Sequence, residues 1–314
     1  MISGIHPRAA LAARGQAMDR VVRATSGLAT AIILAMLAVV LLDVARGGLG
    51  ALSWEFLTTA PRRGMTEGGI FPAIVGTAAL TLLMTVAAVP AGVATAVYLS
   101  EYAPRRSVTA RLVRVGIANL AGIPSIVFGL FGLGFFVGAI GRGLDRAAFD
   151  GRTTYGQPCM LWAALTLAIL TLPVVVVSTE EALRRVPQEL RDASLALGAT
   201  RFQTLVRVVL PEAASGILTG GILAVSRGAG EVAPIMFTGA AYFLRDLPTH
   251  LNDPFMALGY HVYVLATQSP DASRTEPLLC GTVLVLLALT FVLNLAAIVL
   301  RSRSRRGGAG AILV

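Results

Sequence analysis

Two opposite charges stand four residues apart inside an otherwise apolar run, in Ser226-Arg227-Gly228-Ala229-Gly230-Glu231-Val232-Ala233-Pro234. The Arg227 guanidinium is a planar fork of donors, able to give an oxyanion two hydrogen bonds. A carboxylate four positions on shares its helix face and can meet it. A charge deep in lipid costs at least about 2.5–3.5 kcal/mol, so the pair must face protein or a wet cavity. Two readings fit. The pair either locks its segment to neighbouring helices, or Arg227 attracts an anion while Glu231 holds Arg227 in place and keeps the anion from being trapped. Gly228 and Gly230 let a helix or ligand approach the backbone, and Pro234 predicts a kink one turn on.

A second polar group sits in Asn119-Leu120-Ala121-Gly122-Ile123-Pro124-Ser125. Pro124 predicts a kinked helix, and the Ser125 hydroxyl can refill the freed backbone bond. Gly122, Gly129, Gly132 and Gly134 along one helix read first as a packing surface. Ser125 and Asn119 are candidates to line a cavity.

A third constellation runs from Glu180 to Pro211. Pro187 suits the first turn of a helix. Leu190, Ala193, Ser194 and Leu197 then share a face, and Gly198 suits a left-handed stop. Glu189, Arg191 and Asp192 fall elsewhere on the same turns. A second helix is expected from Arg201, ending at Leu210-Pro211 where the next span begins. Such a short amphipathic helix lies on lipid or in a protein groove. The small residues Ala193, Ser194, Ala196, Gly198 and Ala199 make a smooth surface suited to a groove.

Other chemistries lack their residues. Every basic residue is Arg, so the Lys-containing phosphate loop of nucleotide hydrolases cannot form. Cys159 and Cys280 have no metal-type spacing and read as small apolar residues. His6, His250 and His261 form no ligand pair, so no metal site and no cofactor is expected. No Ser-His-Asp spacing or paired-carboxylate site stands out. If ATP drives this chain, another subunit hydrolyses it.

The elements that position these groups are membrane helices. The chain is 55% hydrophobic and 14% charged, with mean hydropathy +0.75. Soluble chains carry about 25% charge. Length alone suggests two soluble domains; hydropathy replaces them with one helical membrane domain. Six stretches reach the roughly 20 residues that a spanning helix needs: Val21 to Leu42, Gly69 to Leu99, Val115 to Ile140, Cys159 to Val177, Ala213 to Ala240, and Leu278 to Leu300. The first is read as a retained helix, since Asp43-Val44-Ala45-Arg46 is a poor cleavage site for a signal peptide.

Arginines set the orientation. They gather before the first span (Arg8, Arg14, Arg20, Arg23), after the second (Arg105, Arg106, Arg111, Arg114), after the fourth (Arg184, Arg185, Arg191, Arg201, Arg207) and after the last (Arg301, Arg303, Arg305, Arg306). The net charge of +9 is therefore topology charge, with lipid contacts at the C-terminal run, and not a nucleic-acid surface. The positive-inside rule places both termini in the cytoplasm. The expected layout is a cytoplasmic segment over 1–20, a membrane domain over 21–300 with an inner loop over about 178–211, and a basic cytoplasmic tail over 301–314. Trp54 and Phe56 are expected at the lipid surface. The outer loop from about 241 to 277 is long, acidic and rich in Pro.

The inner loop carries a resemblance. Asp192-Ala193-Ser194, three residues, Gly198, nine residues, Val208, one residue, Leu210-Pro211 resembles the EAA loop of ABC importer permeases, with Asp for Glu, Ser for the second Ala and Val for Ile. The segments Leu120 to Gly132, Ser226 to Pro234 and Tyr98 to Ala103 resemble the phosphate-specific permeases of PstA type. The resemblance covers about Gly69 to Ala240. It implies six transmembrane helices of type I, MetI-like architecture in a multi-pass protein of the bacterial inner membrane. Asp192, Ala193, Ser194 and Gly198 would dock a cytoplasmic ATP-binding subunit dimer. The implied partners also include a second homologous permease and a phosphate-binding protein outside. The implied function is phosphate import driven by ATP hydrolysed elsewhere.

Two alternatives remain. One is the same machine for molybdate or sulfate. The other is an ion-coupled secondary transporter, which would show inverted repeats with broken helices in corresponding halves; the sequence suggests none. A membrane-embedded enzyme would show several clustered polar groups at one depth, and only Arg227 and Glu231 qualify.

Overall fold

Lipid offers backbone groups no partner, so apolar runs of this length must close their hydrogen bonds as helices. The computed structural model describes residues 7–63, 67–104, 106–269 and 271–310, without the side chains of 7–17, 272 and 303–310. His6 and Arg105 lie outside the described residues, as do the side chains of Arg8, Arg14, Arg303, Arg305 and Arg306.

The elements run α1 (Pro7–Gly48), α2 (Trp54–Thr58), β1 (Pro61–Arg62), β2 (Glu67–Gly68), α3 (Phe71–Val97), α4 (Val108–Gly122), α5 (Ser125–Gly132), α6 (Arg142–Ala148), α7 (Met160–Arg185), α8 (Gln188–Ala196), α9 (Arg201–Thr204), α10 (Leu210–Gly228), α11 (Ala233–Thr238), α12 (Leu258–Gln268) and α13 (Ala272–Gly310). Three wide π-turns join or extend them: Tyr98–Tyr102 after α3, Leu133–Gly141 between α5 and α6, and Leu205–Val209 between α9 and α10. Among the described residues, six stretches are long and apolar enough to cross a membrane: Met18–Gly48, Phe71–Tyr102, Ser125–Ala148, Met160–Arg185, Arg201–Gly228 and Ser273–Ser302.

Three expectations about where helices run need correction. The third apolar stretch is two helices. Proline forces the residue before it out of the helical region, and Ile123 (φ −77°, ψ 132°) and Pro124 (φ −56°, ψ 139°) are both extended. The chain breaks where a kink was expected, and Asn119 and Ser125 fall on different helices. The fifth stretch also breaks. α10 ends at Gly228, and Glu231 lies beyond it, with Pro234 in the first turn of α11. The helix from Arg201 does not stop at Leu210-Pro211. Pro211 has no N–H, and its ring would crowd the carbonyl four residues back. The π-turn before it absorbs this misfit: Leu210 N–H reaches back five residues to Leu205 O, and the helix continues into α10.

The centre of the bundle is α3 packed along α7, with α10 across both. Leu80, Met84 and Ala88 meet Ala164, Leu167 and Ala168. Without side chains, Gly92 lies against Val175, Gly216 against Ala182 and Gly220 against Ser178, the close approach that membrane packing rewards. α1 lies outermost, its Gly47 and Gly48 against Cys280 of α13.

The segment after α11 folds back onto the bundle. The first N–H groups of a helix have no partner within it. Here Cys159, Met160 and Leu161 give theirs to the carbonyls of Thr238, Asp253 and Leu251 at 2.8, 3.0 and 3.0 Å. Leu258 N–H binds Thr77 Oγ1 at 2.8 Å. The long outer loop therefore caps α7 and seats α12. Phe56, expected at the lipid surface, is instead 3% exposed against Ile70 and Met256, whereas Trp54 is 80% exposed.

The glycine surface is half of what was expected. Gly129 and Gly132 take α11 against their bare Cα atoms, touching Phe237, Pro234 and Thr238, while Gly122 and Gly134 have no such neighbour within 4 Å.

Candidate functional site

Depth comes from what touches the break after α10. Gly228 abuts Met84 of α3 and Thr171 of α7. At 1.5 Å per residue these lie about 20 Å from Phe71 and about 16 Å from Met160, both helices starting from the same end of the bundle. A hydrocarbon core is about 30 Å thick, so the break sits near its middle.

Arg227 and Glu231 do meet there. Arg227 Nε is 3.6 Å from Glu231 Oε1, with the side chains 39% and 18% exposed. They meet across a helix end, not along a helix face. The turn is held by Gly230 N–H to Arg227 O at 3.4 Å and Glu231 N–H to Gly228 O at 3.3 Å. Arg227 stands in no other ion pair among the described residues. Its fork is open to a further acceptor.

Asn119 is exposed on α4, and Ser125 is half-buried at the start of α5. The structure does not bring either into contact with Arg227. A polar group that the sequence reading passed over stands beside it: Ser226 Oγ donates to Asn294 Oδ1 of α13 at 2.7 Å. Asn294 is the one amide side chain between Leu278 and Leu300, which was the available signal.

At the far end of α7 the chain turns through an elbow. Pro187 precedes α8, and no residue of α8 is buried. Its end is a complete glycine stop. Ala199 N–H binds Ser194 O at 3.2 Å and Gly198 N–H binds Leu195 O at 3.0 Å, with Gly198 at φ +86°. Thr200 and Gln203 then cap α9 reciprocally. Leu190 (43% exposed), Leu197 (90% exposed) and Ala193 face outward. Asp192 is exposed too, and accepts from Gln188 Nε2 at 3.0 Å. Ser194 instead points back, its hydroxyl 3.0 Å from Thr204 Oγ1.

The opposite face of α8 holds a residue whose place the sequence did not reveal. Arg191 gives hydrogen bonds to Val186 O at 2.6 Å, Leu183 O at 2.8 Å and Glu101 Oε1 at 2.9 Å. The two carbonyls belong to the last turn and cap of α7, where a cation complements unpaired carbonyls. Glu101 lies in the π-turn ending α3. Nearby, Arg114 of α4 donates to Leu99 O at 2.7 Å and pairs with Glu180, which Arg184 also meets at 3.6 Å. A cavity of about 450 Å³ opens between α8 and the ends of α3 and α7, lined by Ser100, Glu101, Arg184, Gln188, Arg191 and Arg201 among others.

Comparison with known proteins places this architecture. The chain is 34% identical over 292 residues to a protein of Bacillus subtilis (strain 168) described as a probable ABC transporter permease, covering 89% of this chain and 93% of that one. It is 34% identical over 270 residues to phosphate transport system permease protein PstA 1 of Mycobacterium tuberculosis (strain H37Rv), covering 84% and 81%. A bacterial alginate ABC transporter, solved with its alginate pentasaccharide-bound periplasmic protein, contains a chain of the same fold. The TM-score is 0.66 at 15% identity, with 90% of this chain and 94% of that one covered. The family model for binding-protein-dependent transport system inner membrane components matches residues 88–306. The six apolar spans, the exposed elbow and these likenesses agree, and the chain belongs to the family of binding-protein-dependent transport system inner membrane components.

Proposed function

We propose that this chain is the membrane-spanning permease of an ABC importer for inorganic phosphate, with ATP hydrolysed by a separate subunit. The observation that carries the substrate is Arg227: a guanidinium near mid-membrane, 39% exposed and touched by one carboxylate at 3.6 Å. Its free donors suit a phosphate oxyanion. A charge-assisted hydrogen bond is worth about 1.5–3 kcal/mol. A translocation site must bind well enough to admit its ion and weakly enough to release it. Glu231 supplies the second half by competing for the same guanidinium. The likeness to PstA 1 supports phosphate over sulfate or molybdate.

The elbow is the docking element. Ala193, Gly198 and Asp192 present a smooth outward surface to a cytoplasmic ATPase dimer, with Ser194 bracing it from behind through Thr204. Both termini lie in the cytoplasm, in keeping with the arginine distribution. A second homologous permease completes the path, and a phosphate-binding protein delivers from outside. Asn119 and Ser125 are secondary candidates for the path.

The test is radiolabelled phosphate uptake into proteoliposomes holding the full complex. Arg227→Gln and Arg227→Lys are expected to assemble and to abolish uptake; normal uptake in either removes the reading. Sulfate or molybdate in excess is expected to leave uptake unchanged, and strong competition would move the substrate to that anion.

A further inference from the structure

α8 packs against α9 and the π-turn that follows it. None of its residues is fully buried. Its hydrogen bonds to α3 and α7 are those of one residue, Arg191. The Arg191 side chain is 14% exposed and its partner Glu101 21% exposed. Open surface ion pairs contribute about 0–1 kcal/mol. This one is largely shielded and shares its guanidinium with two carbonyls, so the arrangement is fixed in direction as well as in charge.

The helices it grips lead to the break. α3 and α7 pack along each other, and both reach Gly228, through Met84 and Thr171. Glu101 stands about 26 Å along α3 from Met84, and Leu183 about 18 Å along α7 from Thr171. Close-packed interiors transmit displacement and do not absorb it.

We propose that Arg191 and Glu101 form the joint that carries motion from α8 into the α3–α7 pair and so to the helix break bearing Arg227. Both act as positioning residues, and the inference rests on reading the chain as an ATP-driven importer. A push on α8 alone would swing it about the Pro187 and Gly198 turns. With Arg191 bound to the ends of both helices, the same push tilts them, and Met84 and Thr171 shift against Gly228. Lys in place of Arg191 keeps the charge but lacks the fork needed for two carbonyls and a carboxylate together.

The experiment measures ATP hydrolysis and phosphate uptake in the same proteoliposomes holding the full complex. For Arg191→Ala and Arg191→Lys we expect hydrolysis within twofold of wild type and uptake per ATP at least tenfold lower, with a smaller loss for Glu101→Gln. Hydrolysis and uptake falling in proportion, or an unchanged ratio, overturns the joint. Should Arg191→Ala fail to assemble, Arg191→Lys and Glu101→Gln carry the same test. A wild-type complex that hydrolyses ATP without importing phosphate sinks the substrate reading alone. The joint is then read from spin labels at Ala94→Cys and Ala196→Cys, with Cys159 and Cys280 replaced by Ala. One narrow distance with and without ATP is expected in wild type and a broadened one in Arg191→Ala. Identical distributions in the two overturn it.

Discussion

Ser226 Oγ lies 2.7 Å from Asn294 Oδ1, joining α10 to α13 one residue before the mid-membrane arginine. Hydrogen bonds between membrane helices average about 0.6 kcal/mol and reach about 1.7 kcal/mol in double-mutant cycles. Ser226→Ala, Asn294→Leu and the double variant are expected to give a coupling energy in that range. Denaturation of the detergent-solubilised chain measures it, and purely additive losses would show the contact to be idle.

Neighbouring glycines of α5 and the turn after it should respond differently. A methyl at Gly132 would meet Thr166 Oγ1 and Thr238 Cγ2, while one at Gly134 meets nothing within 4 Å. Gly132→Ala is expected to cost about 1–3 kcal/mol, as overpacking does. Gly134→Ala should change stability by less than about 0.5 kcal/mol. Thermal melts of the two variants side by side decide it, and equal shifts would mean that α11 does not seat as described.

The elbow separates a backbone requirement from a surface one. Gly198 has φ +86° and open space around it. Gly198→Ala is therefore expected to strain the stop by about 1–2 kcal/mol through its backbone alone, with Gly198→Asn milder. Ala193→Trp leaves the backbone untouched and crowds the outward face. Co-purification of the ATPase subunit should fall with Ala193→Trp more than with Gly198→Asn, and the reverse order would move docking off this face.

Acid should loosen the folded-back segment. The backbone N–H groups of His250 and Thr249 hold the Asp253 carboxyl below the usual carboxylate range. The Ser273 hydroxyl, then the Arg274 N–H, do the same for Asp271. Burial pushes His261 down from 6.5 to about 4, and its Nδ1 has no hydrogen-bond partner among the described residues. A depressed folded pKa means that the unfolded chain binds more protons, so stability rises with pH. For the carboxylates the contribution is present above their unfolded pKa and is lost as pH falls through the folded one. For His261 it is full above about 6.5 and is lost down to about 4, a span worth about 3 kcal/mol. Melting temperature is expected to fall between pH 7 and pH 4, with a shallower fall in His261→Phe; a parallel fall would clear the imidazole.

Much of this was legible in the sequence because lipid makes hydropathy decisive: the spans through α1, α3, α7 and α13 and the elbow with its Gly198 stop stand where the sequence put them. The breaks were not legible. A hydropathy window averages over Ile123-Pro124 and over Gly228–Glu231. A proline signals a bend but not whether the helix kinks or stops, and the packing of α11 on Gly129 and Gly132 is displayed by no local pattern. Arg191 was hidden for a different reason. On a polar helix it reads as solvated charge, and only the folded ends of α3 and α7, remote in sequence, give it acceptors.

The wide turn at Leu205–Val209 has a consequence for heredity. It holds one residue more than a regular helix would use there, and each residue turns an α-helix by about 100°. Losing a single codon in that turn would let it close as ordinary helix, and the helix beyond it would keep its facing. What would return is the collision of the Pro211 ring with the carbonyl four residues back. The spare residue is thus the allowance that lets a proline sit inside a continuous helix, written in a length and not in a letter.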